Sequence, residues 1–239
     1  MKPTWLVCAL AVIALVFCAR AGHAGELLFS GGFRESGLGG EVPGAWEVRA
    51  GKWKLVEGGV EGADCRASGP NYSARGLVTR CRDWSDFALT LEFQIEERGE
   101  DWRDGPWIGF RHRNARNGYT LGFYDSGAYL HKASAGRSTG DADPLAMAHE
   151  KLAEDSWHIV GIRAVGNTMG VTLDGELLLA AEDHDWNNNP PVRRGGVVLS
   201  ARSCGRGETR VRFRNVRVRR AAKLGAEIRQ AARANTSTL

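Results

Sequence analysis

The sequence lacks the residue patterns of several common enzyme classes. His149-Glu150-Lys151-Leu152-Ala153 begins like the zinc-protease motif, but alanine stands where the second histidine must lie. Without two imidazoles one helical turn apart, this stretch cannot grip zinc. No Gly-x-Ser-x-Gly stretch is present, which argues against a hydrolase built on that strained turn. Gly37-Leu38-Gly39-Gly40 fits no phosphate-binding fingerprint.

Paired carboxylates are also missing from the predicted strands. Most glycosidases hold the scissile bond between two carboxylates. Glu92 stands alone on its strand, so a solvated polar face is the preferred interpretation. Asp183-His184-Asp185 could hold calcium or supply a general acid, but an acidic turn after a strand is the commoner case. We therefore predict no cofactor and no metal site, with calcium as the alternative.

Long apolar runs are absent after the first residues. Trp5–Phe17 is apolar, follows Lys2 and precedes small residues up to Ala24. A transmembrane helix needs ~20 apolar residues, so the run predicts a cleaved signal peptide over residues 1–24, with a retained anchor less favoured. We expect a secreted, periplasmic or cell-envelope protein without a membrane partner after cleavage.

The charge balance is mild. The chain has 32 basic and 28 acidic residues and a net charge of +4, which does not call for nucleic acid as a partner. Six arginines cluster near the end of the predicted domain and are best interpreted as protection of a terminal strand against aggregation: Arg210, Arg212, Arg214, Arg217, Arg219 and Arg220. The oligomeric state stays open.

Three cysteines remain after the predicted cleavage, namely Cys65, Cys81 and Cys204. An exported compartment permits disulfides, and an odd number suggests one pair and one free thiol. Cys65–Cys81 is marginally favoured because both residues flank one predicted hairpin, and Cys81–Cys204 is an alternative. Three unpaired buried thiols are about as well supported.

Alternation with a period of two dominates the chain from residue 25 to 220. In the clearest case Phe87, Leu89, Leu91, Phe93 and Ile95 share one face of a strand. Similar stretches are separated by Gly, Asn, Asp and Pro clusters and predict an all-β sandwich or jelly roll: Trp53–Glu57, Arg75–Arg80, Trp107–Arg113, Tyr119–Tyr124, Tyr129–Lys132, Trp157–Val165, Met169–Asp174, Glu176–Ala180, Val197–Arg202 and Thr209–Arg219.

Local signals refine this prediction. Asp174-Gly175 tolerates the positive φ angles of a two-residue hairpin turn. The apolar face changes parity near Arg214-Asn215, which predicts a β-bulge. Ala133–Asp143 is small and polar and predicts a loop. Residues 221–239 form a tail in which Ala221–Ala234 has helical spacing, so one short C-terminal helix is expected.

The order of motifs along this sequence resembles that of the 3-keto-disaccharide hydrolase domain family, which belongs to the concanavalin A-like lectin/glucanase group. The likeness extends from about Leu27 to Arg219. Its most specific parts are the Asp86–Phe93 strand and the terminal Phe-Arg-Asn-Val block within Val211–Val218, taken together. It is carried by Leu28-Phe29, Gly51-Lys52-Trp53-Lys54-Leu55, Gly76-Leu77-Val78-Thr79, Asp86–Phe93, Ile108-Gly109-Phe110-Arg111, Gly118-Tyr119, Trp157-His158-Ile159-Val160, Gly166-Asn167, Leu173-Asp174-Gly175 and Val211–Val218.

The resemblance implies a concanavalin A-like jelly roll of two antiparallel sheets over residues 25–220, with a sugar site on the concave sheet. By position, Arg111 and Asp125 match residues of the family pattern, and the resemblance makes them the catalytic candidates. Trp107, Tyr119 and Tyr124 are the expected substrate-binding residues. Trp102 and Trp186, beside loop-forming or charged residues, are further candidates for a ligand surface.

This chain also departs from the family pattern. Gly105-Pro106 replaces Asn-Ser, Thr120 and Gly122 replace Glu and Gln, and Ser200–Gly205 replaces Gln-x-His-Gly. Without these polar groups no evident acid–base pair is left. We therefore expect a carbohydrate-active domain that resembles glycoside hydrolases, with a non-catalytic lectin-like module as the alternative. A structural or protein-interaction sandwich is the third hypothesis.

Overall fold

The computed structural model describes residues 25–33, 42–66 and 74–236. The expected signal peptide, residues 1–24, lies outside the described residues. The all-β prediction is confirmed, because the strands form two sheets that pack face to face as in a jelly roll. Within the described ranges, no helix is both long and apolar enough to cross a membrane.

The first sheet has eight strands and contains the longest ones. Its order is β15-β14-β13-β7-β17-β4-β3, and β1 also pairs with β17. The strands are β1 (Leu27–Ser30), β3 (Lys52–Val56), β4 (Gly59–Ala63), β7 (Phe87–Glu97), β13 (Trp157–Val165), β14 (Thr168–Leu173), β15 (Glu176–Glu182) and β17 (Arg210–Arg220).

The second sheet has nine strands. Its order is β11-β10-β9-β8-β16-β6-β2, with β12 beside β10 and β5 beside β16. The strands are β2 (Trp46–Val48), β5 (Cys65–Arg66), β6 (Leu77–Thr79), β8 (Gly105–Asn114), β9 (Asn117–Tyr124), β10 (Gly127–Ser134), β11 (Arg137–Ser138), β12 (Ala146–Ala148) and β16 (Gly196–Ser203). Among the described strand pairings of this sheet, only β5–β16 is parallel.

Alternating side chains build the core between the sheets. Along β7 the odd-numbered residues from Phe87 to Ile95 are buried, as their period of two predicts. The facing sheet contributes Phe123, whose ring centroid lies 5.0 Å from that of Phe93. Burial of these aromatic and aliphatic side chains stabilises the sandwich by removing apolar surface from water.

The predicted turn and bulge are both confirmed. Asp174 and Gly175 have φ angles of 51° and 93° and join β14 to β15. In β17 the pairing with β7 shifts between Arg214 and Arg217, and Asn215 has a φ of 54°. The extra residue keeps Val211 and Phe213 on the buried side together with Val216 and Val218.

Two segments differ from their sequence predictions. The C-terminal helix α1 spans Ala226–Thr236, so residues 221–225 are not helical. Its Ile228 sits over Gly170, where a Cβ would lie 2.6 Å from the Ile228 side chain. The predicted loop over Ala133–Asp143 contains a small hairpin between β10 and β11, because Ala135 and Gly136 adopt positive φ angles.

The favoured Cys65–Cys81 disulfide is not formed. All three described cysteines are unpaired. Cys65 is buried in the core, where loss of water raises the pKa of its thiol to about 11, whereas Cys81 is exposed. The alternative of three unpaired buried thiols is confirmed in its pairing but not in its burial, because only Cys65 is buried.

Candidate functional site

The outer face of the nine-stranded sheet carries a second apolar cluster. Along β8 and β9, Ile108 and Leu121 point into the core, so their neighbours Trp107 and Gly122 face outward, opposite each other. The cluster comprises Ala74, Val78, Trp107, Tyr124, Tyr129 and Val198. The outer face of a sheet is solvated in many sandwiches, whereas here apolar side chains cover part of it.

Aromatic rings stack along one end of this face. Tyr124 and Tyr129 lie 4.5 Å apart between centroids at 21°, and Trp107 is 5.6 Å from Tyr124. Trp102 meets Tyr124 edge to face at 5.2 Å and is 44% exposed. Gly122 makes room, since a Cβ there would lie 2.6 Å from Cε1 of Tyr124. We call Trp102, Trp107, Tyr124 and Tyr129 the aromatic cluster.

A chain of hydrogen bonds runs beneath these rings. The Tyr124 hydroxyl donates to Asp141 at 3.2 Å and lies 2.8 Å from Nε2 of His131, whose Nδ1 is 3.1 Å from the Thr139 hydroxyl. The tautomer of His131 sets which partner donates in its hydrogen bonds to Tyr124 and Thr139. Burial lowers the pKa of His131 to about 3. The imidazole is therefore neutral near pH 7.

Two arginines border the aromatic cluster. Arg103 binds the Asp101 carboxylate through Nε and Nη2, at 2.9 and 3.0 Å, and its guanidinium lies 5.8 Å from the Trp102 ring centroid. The hydrogen bonds that Arg103 donates to Asp101 raise the pKa of Arg103, and Asp141 adds to this through its charge. Arg202 lies 4.7 Å over the Trp107 ring. This end of the face therefore combines aromatic rings with cations and carboxylates.

One group of potential metal ligands lies next to the cluster. Among the described residues, Asp101, Asp104 and Cys204 bring ligand atoms within 4.8 Å of one another. The two carboxylate oxygens of Asp104 already accept backbone N–H groups of Cys204 and Asp101. Calcium prefers an all-oxygen shell, so a thiol makes this set a poor match for that ion.

The predicted residues Trp107, Tyr124 and Asp125 come together at this end of the sheet. Trp107 donates its indole N–H to the Arg103 carbonyl at 3.1 Å. Asp125 follows β9, its backbone N–H donates to the Trp102 carbonyl at 2.9 Å, and its exposed carboxylate pairs with Lys151. Their roles in binding and catalysis stay predictions.

Arg111 lies elsewhere, inside the protein. Strict alternation would place it on the outer face with Trp107, but a bulge with a φ of 46° at Arg111 turns the side chain inward. Its guanidinium donates to the carbonyls of Ser85, Gly166 and Val192. It also pairs with Asp86 at 3.2 Å.

Tyr119 also faces the core. Its ring stacks on Phe110 at 5.4 Å, and its hydroxyl donates to Asp183 at 2.6 Å and accepts the Val192 N–H at 3.0 Å. Burial and the Asp183 charge raise the pKa of Tyr119. Asp183, the first residue of the acidic turn considered for calcium, therefore holds Tyr119 and Lys132.

Arg111 and Asp125 consequently lie at opposite ends of the β8–β9 pair. Phe110 pairs with Tyr119 near the start of β9, so its neighbour Arg111 lies at that end. Asp125, whose N–H bonds to Trp102, lies at the other end, about six residues or roughly 20 Å further along the strand. Sequence reasoning missed Tyr129, His131 and Asp141. The Tyr-x-His spacing on a predicted strand was the available signal, since residues two apart share a face.

Residues 33–219 match the family model described as the 3-keto-alpha-glucoside-1,2-lyase-like domain. The chain belongs to this family. No curated protein matches the chain in sequence.

Solved structures share the fold of this lyase-like domain. The carbohydrate binding module CBM66 from Bacillus subtilis has a TM-score of 0.54 at 18% identity, covering 73% of this chain and 95% of its own. The GH43 protein BlXynB from Bacillus licheniformis has a TM-score of 0.60 at 13% identity, covering 80% of this chain and 39% of its own. The alginate lyase AlgAT5 of polysaccharide lyase family 7 has a TM-score of 0.53 at 12% identity, covering 74% and 95%. At these identities the likeness shows the fold alone.

Proposed function

We propose that this domain binds carbohydrate at the aromatic cluster on the outer face of the nine-stranded sheet. The observation that carries the proposal is the exposed ring of Trp102, held edge to face on Tyr124 with Arg103 beside it. Sugars offer apolar C–H faces that pack on such rings. Ligand sites typically combine aromatic walls with a few placed polar groups.

The polar groups at this end suit sugar hydroxyls. Arg103 is fixed by two hydrogen bonds to Asp101, so its remaining N–H groups point in a set direction. Asp141 is 19% exposed at its side chain and offers acceptor oxygens. A donor and an acceptor next to an aromatic ring can bind the rim and the face of one sugar together.

The comparisons support this assignment. The family is named for a lyase acting on a keto-glucoside, and two structures of the same fold are described as a carbohydrate binding module and an alginate lyase. With the predicted signal peptide, we propose that the protein meets its glycan outside the cytoplasm.

A second candidate function is the elimination that the family name describes. In a 3-keto-glucoside the ketone acidifies the C2 proton, so a base can remove it. A C1=C2 double bond then forms as the C1–O bond breaks, and the leaving oxygen takes a proton. The specific observation favouring this candidate is Asp141, a carboxylate that accepts a hydrogen bond from Tyr124, which is in turn bonded to His131.

Binding is tested by calorimetry of the full chain against a panel of neutral oligosaccharides. Trp102→Ala should weaken binding by about tenfold or more, the equivalent of about 1.4 kcal/mol. Trp157→Ala is the matched control, since that tryptophan lies on the other sheet under Arg214. Equal loss in both variants, or no binding to any oligosaccharide, would contradict the proposal.

Catalysis is tested with methyl 3-keto-α-glucoside by following methanol release. Asp141→Asn should abolish turnover while keeping substrate affinity, because the amide cannot take the C2 proton. Asp125→Asn is the matched comparison, because its carboxylate is exposed and bound to Lys151. If turnover is lost in Asp125→Asn and kept in Asp141→Asn, the base is Asp125, the residue predicted from the sequence. No turnover by the unmodified protein would leave binding as the function.

A further inference from the structure

A pocket of about 360 Å³ lies on the same outer face, at the opposite end from the aromatic cluster. Val78 and Ala74 form its inner wall and belong to the same apolar cluster as Trp107. The Ala74 N–H donates to the Thr120 hydroxyl at 3.1 Å, which holds the wall against β9. The volume falls in the range of about 300–1,000 Å³ that small-molecule sites occupy.

Three arginines line this pocket, Arg49, Arg75 and Arg82. Arg49 and Arg82 share a single carboxylate, Glu47, at 2.7 and 3.3 Å. One acid therefore neutralises only one of these two cations, and none of the described residues that line the pocket is Asp or Glu. The field inside favours an anion.

Arg75 adds an unsatisfied donor. Its Nε atom is buried and has no hydrogen-bond partner among the described residues. A buried donor without an acceptor costs free energy, which a bound oxygen would recover. A guanidinium also matches the planar pair of oxygens of a carboxylate or sulfate.

His112 and Asn114 also line the pocket. Burial and the charge of Arg82 lower the pKa of His112 to about 4, so the neutral imidazole supplies hydrogen bonds rather than charge near pH 7. Neutral polar groups beside three arginines suit a ligand that carries hydroxyls as well as a negative group.

We infer that this arginine pocket binds an oxyanion carried by a sugar, either a uronate carboxylate or a sulfate ester. The inference rests on the proposed carbohydrate binding and adds the class of sugar. Trp107 and His112 are five residues apart along β8, roughly 15 Å. An acidic oligosaccharide could therefore reach both ends, while each end can be tested alone.

The test uses calorimetry of the full chain with glucose, glucuronate, glucose 6-sulfate and inorganic sulfate. Glucuronate or glucose 6-sulfate should bind at least about tenfold more tightly than glucose, as expected for a charge-assisted hydrogen bond. Whichever of glucuronate and glucose 6-sulfate binds more tightly identifies the anion. Arg75→Gln should remove this preference, and Arg75→Lys should restore part of it.

Arg210→Gln removes the same charge from the other sheet and should leave the preference unchanged. Equal affinity for charged and neutral sugars, or the same loss in Arg210→Gln, would overturn the inference. Inorganic sulfate binding as tightly as glucose 6-sulfate would also overturn it, because the pocket would then not recognise the sugar. Binding of neutral oligosaccharides tests the proposed function separately. It should be lost in Trp102→Ala and kept in Arg75→Gln.

Discussion

Lys132 and Asp183 form an ion pair inside the protein, with 2.7 Å between Nζ and Oδ2 and both side chains fully buried. Lys132 also donates to the Asn189 carbonyl at 2.7 Å, and Tyr119 donates to the same carboxylate. Because Lys132 lies on β10 and Asp183 follows β15, the pair ties the two sheets together at one end.

Lys132→Met should destabilise the fold by about 3–5 kcal/mol, because the Asp183 charge is left buried without its cation. Urea unfolding measures this change. Lys52→Met is the control, since Lys52 and Glu208 are both exposed and loss of their ion pair should cost less than about 1 kcal/mol. Similar losses in the two variants would contradict the structural role of the buried pair.

Arg111→Lys should lower the free energy of unfolding by about 2 kcal/mol or more, because a lysine cannot reach three carbonyls and the Asp86 carboxylate together. Oligosaccharide affinity of the folded variant should be unchanged. Arg113→Lys, an exposed neighbour, should change neither quantity. A loss of affinity or turnover at unchanged stability would instead support the catalytic role predicted from the sequence.

Gly122→Ala should disturb the aromatic cluster from below, since its Cβ would lie 2.6 Å from the Tyr124 ring and 3.2 Å from Trp107. We expect a cost of about 1–3 kcal/mol in stability from overpacking, together with weaker oligosaccharide binding. Gly44→Ala, where nothing lies within 4 Å, is the control. Calorimetry and urea unfolding check both effects, and unchanged binding would separate the rings from ligand recognition.

Acidification should destabilise the protein partly through His112. Its pKa is lowered to about 4 in the folded state, so below the ordinary value of about 6.5 the unfolded chain takes up a proton that the folded chain does not. Stability is complete above pH 6.5 and falls towards pH 4, by up to about 1.4 kcal/mol per pH unit for this group. His112→Asn should reduce that slope in urea unfolding between pH 7 and 4.5. An identical slope would contradict the buried neutral imidazole.

Long alternating strands were predicted well because their physical cause is local. β13 spans Trp157–Val165, the same bounds that the alternation predicts, and β7 extends the predicted strand by two residues. The Asp174-Gly175 turn and the bulge at Asn215 follow from residue types that accept positive φ angles. Short strands such as β5 and β11 contain too few residues to show a period.

Site residues were predicted less completely. Trp107 was predicted for a ligand surface because it lies beside loop-forming or charged residues, and it does lie on the outer face. The bulge at Arg111 then reverses the face along β8, and no local residue type signals it. Tyr119, Leu121 and Phe123 alternate along β9 and therefore share one face of the strand. The structure shows that this face points into the core. Asp141 joins Tyr124 only because the β10–β11 hairpin folds back over the sheet.

The sequence by itself determined the all-β class, most of the strands, the hairpin turn and the family, because alternation and turn chemistry act between residues close along the chain. Only the tertiary structure decided which tyrosine faces outward, that Arg111 is internal, that the three described cysteines stay unpaired and that three arginines from separate segments line one pocket. Those relationships depend on sheet register and on packing between residues far apart in sequence, which local patterns do not encode.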